Sequence, residues 1–171
     1  KIIPLIKQLS LNYQNIKKID SHKIVKFVKK HNVDLNIISG FPYIFKKELL
    51  NSSKYGTLNL HGGKLPQYKG ASTLNWQIIN GEKRIGISII KANSSIDGGD
   101  ILSQYSFNLK DNHDISEVHK IVNKKFPILL KHTLEKYFNN NIKLKKNNGG
   151  KIYKQRSIKD GKIKWNYMSN V

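Results

Sequence analysis

Apolar residues fall in short segments whose spacing changes along the chain, and the changes mark out alternating helices and strands. After Ser21, a capping residue, Ile24, Val25, Phe27 and Val28 recur at helical spacing until His31 and Asn32. Residues 33–39 are rich in Val, Leu and Ile and run into Gly40 and Pro42, as a buried parallel strand does before a loop. A brief helix is expected over 45–50. Residues 56–61 alternate, with Thr57, Asn59 and His61 on one side of a strand and Leu58 and Leu60 on the other. Gly62, Gly63, Pro66 and Gly70 predict a long turn, then 72–79 a helix closed by Asn80 and Gly81. Strands are predicted over 84–92 and 101–107, separated by a polar, glycine-containing loop at 93–100. A long helix over 115–138, opened by Asp114 or Ser116 and kinked at Pro127, carries Val118, Ile121, Val122, Leu129, Leu130 and Leu134 on one stripe. The Asn, Lys and Gly of 139–150 read as a loop. Residues 151–157 and 162–165 flank Lys159, Asp160 and Gly161, a hairpin signal. Alternation of this kind predicts an α/β layer architecture.

Composition narrows the picture. With 171 residues, 38% hydrophobic and 25% charged, the chain is suited to one domain with a sizeable core. It begins at Lys1 rather than Met, and 166–171 trail off without a final element, so an excerpt of a longer protein is expected. The formal charge of +20 would favour a polyanionic partner, but Arg84 and Arg156 are the only arginines among 31 basic residues. Lysine, asparagine and isoleucine abound evenly along the chain, as a coding bias would leave them. No cysteine is present, which excludes disulfides and thiolate metal sites. No apolar run approaches the roughly 20 residues that span a bilayer, and residues 1–10 hold no signal-peptide core. A soluble, cytoplasmic protein without membrane contact is the expectation.

Asn59 and His61 stand two apart on a strand, so both side chains leave one face at its carboxyl end, beside a glycine-rich turn. Open α/β sheets bind ligands at such ends, although a polar face of this kind also fits plain solvation. Gly62, Gly63 and Lys64 could cradle a phosphate but lack the full P-loop pattern. Trp76 fits helix packing, and Asp100, close to Asp97, fits a turn better than a paired-carboxylate site. The six histidines form no ligand cluster, so no metal is expected.

Two longer strings carry more. Asn59-Leu60-His61-Gly62-Gly63-Lys64-Leu65-Pro66-Gln67-Tyr68-Lys69-Gly70-Ala71-Ser72, followed by Asn75-Trp76, resembles the central motif of the 10-formyltetrahydrofolate-dependent formyltransferase family. Gly86-Ile87-Ser88-Ile89 and Ile96-Asp97-Gly98-Gly99-Asp100-Ile101-Leu102, with Gln104 beyond, resemble that family's later strand and aspartate-bearing loop. The resemblance covers about residues 19–165. It implies a Rossmann-like sheet lacking its N-terminal strand or strands, with Asn59, His61 and Asp97 as the catalytic residues and 10-formyltetrahydrofolate as donor. Formyl transfer to an amine passes through a tetrahedral adduct bearing an oxyanion. An Asn amide suits the stabilisation of that charge, His proton exchange near neutrality, and Asp the orientation of His or of a relaying water.

By the same resemblance Ser39, Gly40, Phe41, Tyr43 and Ile44, together with Ser95 and Ile96, border the folate, and Lys64 or Lys69 contributes to the acceptor. Gly62 and Gly63 depart from the Ser-containing motif of methionyl-tRNA and glycinamide ribonucleotide formyltransferases and are more similar to the sugar N-formyltransferases. The acceptor expected is therefore a nucleotide-linked amino sugar, with methionyl-tRNA as the alternative, and a homodimer is compatible. The expected division is a catalytic domain over 1–145, incomplete at its start, and a C-terminal hairpin segment over 146–171. Readings of another class are a basic nucleic-acid-binding module, drawn from the charge, and an inactive remnant of the fold.

Overall fold

The computed structural model describes residues 2–13, 20–41 and 43–161. The elements in chain order are α1 (Ile2–Gln8), α2 (Ser21–Lys30), β1 (Asn36–Ser39), α3 (Lys47–Leu50), β2 (Thr57–His61), β3 (Tyr68–Gly70), α4 (Thr73–Ile79), β4 (Arg84–Lys91), β5 (Ile101–Asn108), α5 (Ile115–Phe138) and β6 (Lys151–Tyr153), with a final 3-10 turn at Ile158–Gly161. The expected α/β architecture is present as a mixed four-stranded sheet of order β1-β2-β4-β5. β1 runs parallel to β2, whereas β4 is antiparallel to both β2 and β5.

β4 explains the layering. All its residues from Ile85 to Ile90 are buried, so the strand is covered on both faces. On one face Ile85 and Ile87 join Leu74, Val118 and Val122, while Ile89 joins Leu58 and Leu102 beneath Leu129, Leu130 and Leu134. This is the apolar stripe of α5 laid on the sheet. The opposite face of β4 supports the turn that follows β2.

Local chemistry sets the helix boundaries. Asp20, not Ser21, caps α2, because its carboxylate accepts from the amides of His22 at 3.0 Å and Lys23 at 3.3 Å, while Ser21 is already helical. Asp114 caps α5 through Glu117 N at 2.8 Å. Pro127 lies inside α5 without dividing its 24 residues.

The C-terminal region departs from expectation. Residues 151–153 do form a strand, but β6 pairs in parallel with β3, a strand that the long turn concealed. Lys159, Asp160 and Gly161 lie in the 3-10 turn. The expected second arm, 162–165, lies outside the described residues. The main-chain groups left open by the turn at 68–70 are satisfied by β6, which draws the segment after α5 back over the end of β2.

Candidate active site

Strand parity delivers Asn59 and His61 to one face, and the loop after β4 brings Asp97 to them. Asn59 Nδ2 donates to Asp97 Oδ1 at 3.0 Å, and Gly70 N donates to Asp97 Oδ2 at 2.8 Å. His61 Nδ1 lies 3.5 Å from the same Oδ2, with His61 only 6% and Asp97 13% exposed. The other ring nitrogen, Nε2, lies 2.6 Å from the carbonyl oxygen of Tyr68. A carbonyl only accepts, so Nε2 carries a hydrogen, and Nδ1 is the ring nitrogen left to gain or lose a proton beside the carboxylate.

The turn after β2 is held from beneath by side chains. Ser88 Oγ donates to Gly63 O at 2.7 Å and accepts from Leu65 N at 3.2 Å. Gln104 Nε2 donates to Leu65 O at 2.8 Å and to Ser88 Oγ at 3.0 Å. Thr73 Oγ1 and Gln77 Nε2 both donate to Gly62 O, at 2.9 and 3.2 Å. Gly70, at φ +92°, requires its glycine: an added Cβ would lie 2.2 Å from Tyr153 O, inside the β3–β6 pairing.

Tyr68 is fixed at both ends. Its carbonyl holds His61, and its hydroxyl donates to Glu82 Oε1 at 2.8 Å while accepting from Asn80 Nδ2 at 3.2 Å. Burial, with Glu82 adding and Asn80 opposing, pushes the phenol up to about 12. Its ring stacks on Tyr153 with centroids 5.0 Å apart.

The three polar residues stand in a cleft of about 540 Å³. Of the residues expected to border the folate, Gly40, Phe41, Tyr43, Ile44, Ser95 and Ile96 line the cleft and Ser39 does not. Phe41 stacks on Phe45 at 4.5 Å, giving that wall an aromatic surface. Ile152, Tyr153 and Gln155 close the opposite side. None of the described lining residues is Lys or Arg, although the chain has 31 of them.

The two acceptor-binding expectations are corrected. Lys69 does not line the cleft; it is 9% exposed, and its ammonium donates to Asn147 O at 3.1 Å. The β3–β6 pairing directs it inward, a consequence of the hidden strand. Lys64 is exposed and also lies outside the cleft lining. Trp76 does serve packing, with Nε1 donating to Lys154 O at 2.9 Å and its ring against Tyr153. Asp100 accepts from Lys146 Nζ at 3.0 Å and takes no part with Asp97. Among the described residues no group of three or more potential metal ligands occurs, and no helix is long and apolar enough to cross a membrane.

The roles of Tyr68, Asn147 and the Ser88–Gln104 support carry no local signal in the chain beyond Ser88 itself, a polar residue between Ile87 and Ile89 of a buried strand. The role of Tyr68 left no trace, because its carbonyl does the work.

Comparison with known proteins identifies the family. The family described as formyl transferase matches residues 4–134. The bifunctional polymyxin resistance protein ArnA of Wigglesworthia glossinidia brevipalpis is 33% identical over 90% of the chain and 24% of its own length. Methionyl-tRNA formyltransferase of Clostridium tetani is 38% identical over 67% of the chain and 38% of its own length. The chain thus spans well under half of these two curated relatives. Among solved structures, the formyltransferase PseJ of Anoxybacillus kamchatkensis, determined with UDP-4,6-dideoxy-4-formamido-L-AltNAc and tetrahydrofolate, overlays with a TM-score of 0.70 at 23% identity. That overlay covers 97% of this chain and 83% of PseJ.

Proposed function

The chain belongs to the formyl transferase family, and from that membership we propose that the protein carrying it transfers a formyl group from 10-formyltetrahydrofolate to a primary amine, that of a nucleotide-linked amino sugar. The observation that carries the reading is the convergence of Asn59, His61 and Asp97 at one end of an apolar-walled cleft.

The residues present fit the donor. Ile38, Phe41, Ile44, Phe45 and Ile90 offer flat apolar contact, and the loops around Gly40 and Ser95 offer main-chain groups to a polar heteroaromatic ring. Bound there, 10-formyltetrahydrofolate supplies an N-linked formyl carbon open to attack by an amine.

Asn59 has two amide hydrogens, one of which engages Asp97. The other is free to meet an oxygen on which negative charge develops, an interaction whose loss commonly costs on the order of a hundredfold in rate. An acceptor amine arrives protonated and must lose a proton to act as a nucleophile. Asp97 is the one carboxylate among the described lining residues and is the base placed to take that proton, directly or through a water, and to return it to the donor nitrogen as the bond from that nitrogen to the formyl carbon breaks. Since Nε2–H is committed to Tyr68 O, proton exchange with Asp97 runs through His61 Nδ1, 3.5 Å from Oδ2. With no Lys or Arg among the described lining residues, an ammonium meets no like charge there.

The sugar acceptor is supported by the Gly62-Gly63 form of the motif and by the near-complete overlap with PseJ, whose structure holds a formamido sugar nucleotide. A second reading, methionyl-tRNA as acceptor, is favoured by the 38% identity to the Clostridium tetani enzyme. The test is to incubate the full-length protein with 10-formyltetrahydrofolate and, in parallel, a panel of dTDP- and UDP-linked amino sugars and methionyl-tRNA. Formylation of a sugar is expected; formylation of the tRNA alone selects the second reading. A folded protein that binds 5-formyltetrahydrofolate and formylates neither refutes both.

A further inference from the structure

Asp97 sits at φ +43°, in the left-handed region that Asp enters more readily than most side chains but at some cost, so contacts that hold its main chain matter. Gly70 N and Asn59 hold its carboxylate, but its main chain is held from a different quarter. Asn147 Nδ2 donates to Asp97 O at 2.6 Å and to Gly99 O at 2.9 Å, clamping the loop on both sides of Gly98. Asn147 is itself 5% exposed, and both its amide donors are spent on this one loop.

Behind Asn147 stands Lys69, whose buried ammonium donates to Asn147 O at 3.1 Å. Lys69 is the chain neighbour of Gly70, whose amide holds Asp97 Oδ2. The two residues close a ring: Lys69 to Asn147, Asn147 to Asp97 O, Asp97 Oδ2 to Gly70 N, and Gly70 to Lys69 through the chain. Asn147 also lies beyond the residues that the family match covers, 4–134.

We propose that Asn147 and Lys69 are positioning residues: together they form a buried brace that fixes the backbone of Asp97 and so sets its carboxylate against His61 and Asn59. Neither lines the cleft. They act through Asp97, and a loosened brace lets the carboxylate drift from its contacts. Misplacement by about 1 Å is enough to cost on the order of a hundredfold in rate.

The kinetic arm of the test rests on the formyl-transfer reading; the spectroscopic arm does not. In the full-length protein, Asn147→Ala and Lys69→Met are expected to lower kcat about tenfold or more, with KM for donor and acceptor within about twofold of wild type. Lys69→Arg, which keeps a donor for Asn147 O, is expected to retain at least about half of wild-type kcat. The ring 1H and 15N signals of His61, recorded without substrates, should move in Asn147→Ala toward those of Asp97→Asn. If Asn147→Ala does not fold, Asn147→Asp, of nearly equal volume but without the two donors, carries the same expectations. Wild-type kcat with unmoved His61 signals in a folded variant overturns the brace. So does a raised acceptor KM with intact kcat in Lys69→Met, which would return that lysine to substrate binding. A wild-type protein that formylates nothing removes the kinetic arm's premise, and the His61 signals then decide the brace alone.

Discussion

His61 is anchored by main chain: its Nε2 donates to the carbonyl oxygen of Tyr68 at 2.6 Å, so the ring orientation depends on where β3 lies and not on the Tyr68 side chain. Tyr68→Phe should therefore leave kcat within about threefold of wild type while costing about 1–2 kcal/mol of stability, from the lost hydroxyl contacts with Glu82 and Asn80. Paired kinetics and denaturant titration check this. A collapse of kcat without loss of folding would mean that the hydroxyl itself takes part in the reaction.

The same hydroxyl gives an alkaline signature. Its folded pKa is pushed up to about 12 from 10.0, first by burial, so the neutral form is the one the fold favours. For a group raised in this way, the contribution is intact below the unfolded pKa and is lost as pH rises toward the folded one. Wild-type stability should fall between about pH 10 and 12, and Tyr68→Phe should fall less steeply over that window. Melting temperature against pH for the two proteins reads the difference directly, and parallel curves would contradict it.

The reaction centre makes a joint prediction. Asn59→Ala, His61→Ala and Asp97→Ala in the full-length protein should each lower turnover about a hundredfold or more with folding preserved. Because Asp97 contacts both partners, the triple variant should be little worse than the worst single one. Wild-type turnover in His61→Ala would refute the proton route through Nδ1, and strict additivity would refute the coupling.

How much of this was legible in the chain depends on the range over which each signal acts. The alternation of Thr57 to His61 is local, and it placed Asn59 and His61 on one face without any knowledge of the fold. Asp97 became visible only through the second motif block, since nothing in the polar loop 93–100 points back to β2. The Asp160–Gly161 turn chemistry pointed to a hairpin, whereas the parallel pairing of Lys151–Tyr153 with main-chain groups at 68–70 is tertiary and no local pattern announces it. Lys69 read as an acceptor contact for the same reason: its inward direction is set by a strand with no periodic pattern. Asn147 was invisible in a run of Asn, Lys and Gly, where composition says loop and only the fold says which amide is used.

Gly70 tests the junction of the two sheets. At φ +92°, with an added Cβ 2.2 Å from Tyr153 O and 2.9 Å from Tyr153 N, Gly70→Ala must disturb both the β3–β6 pairing and the amide that holds Asp97. A cost of about 1–3 kcal/mol is expected, lowering the melting temperature by several degrees, at about 2–4 °C per kcal/mol for a chain of this size. Turnover should fall further than that loss explains when measured well below the melting transition. Thermal melts alongside kinetics separate the two effects, and an unchanged kcat would show that Gly70 N is dispensable to Asp97.

Gln77 provides the opposite case, a residue whose loss should be felt by the fold and hardly by the chemistry. It is fully buried, accepts from Gly86 N at 2.7 Å, and donates to the carbonyls of Gly62, Thr73 and Gly86 at 3.2–3.3 Å. Gln77→Leu keeps much of the volume but leaves the Gly86 amide buried without a partner, a penalty of about 1–3 kcal/mol. Gly62 O keeps its bond from Thr73 Oγ1 at 2.9 Å, so the turn that carries His61 should stay in place. The expected result is a clearly lowered melting temperature with kcat within about threefold of wild type at low temperature. A kcat reduced as far as in Asp97→Ala would mean that the turn depends on Gln77 and that Thr73 alone does not secure it.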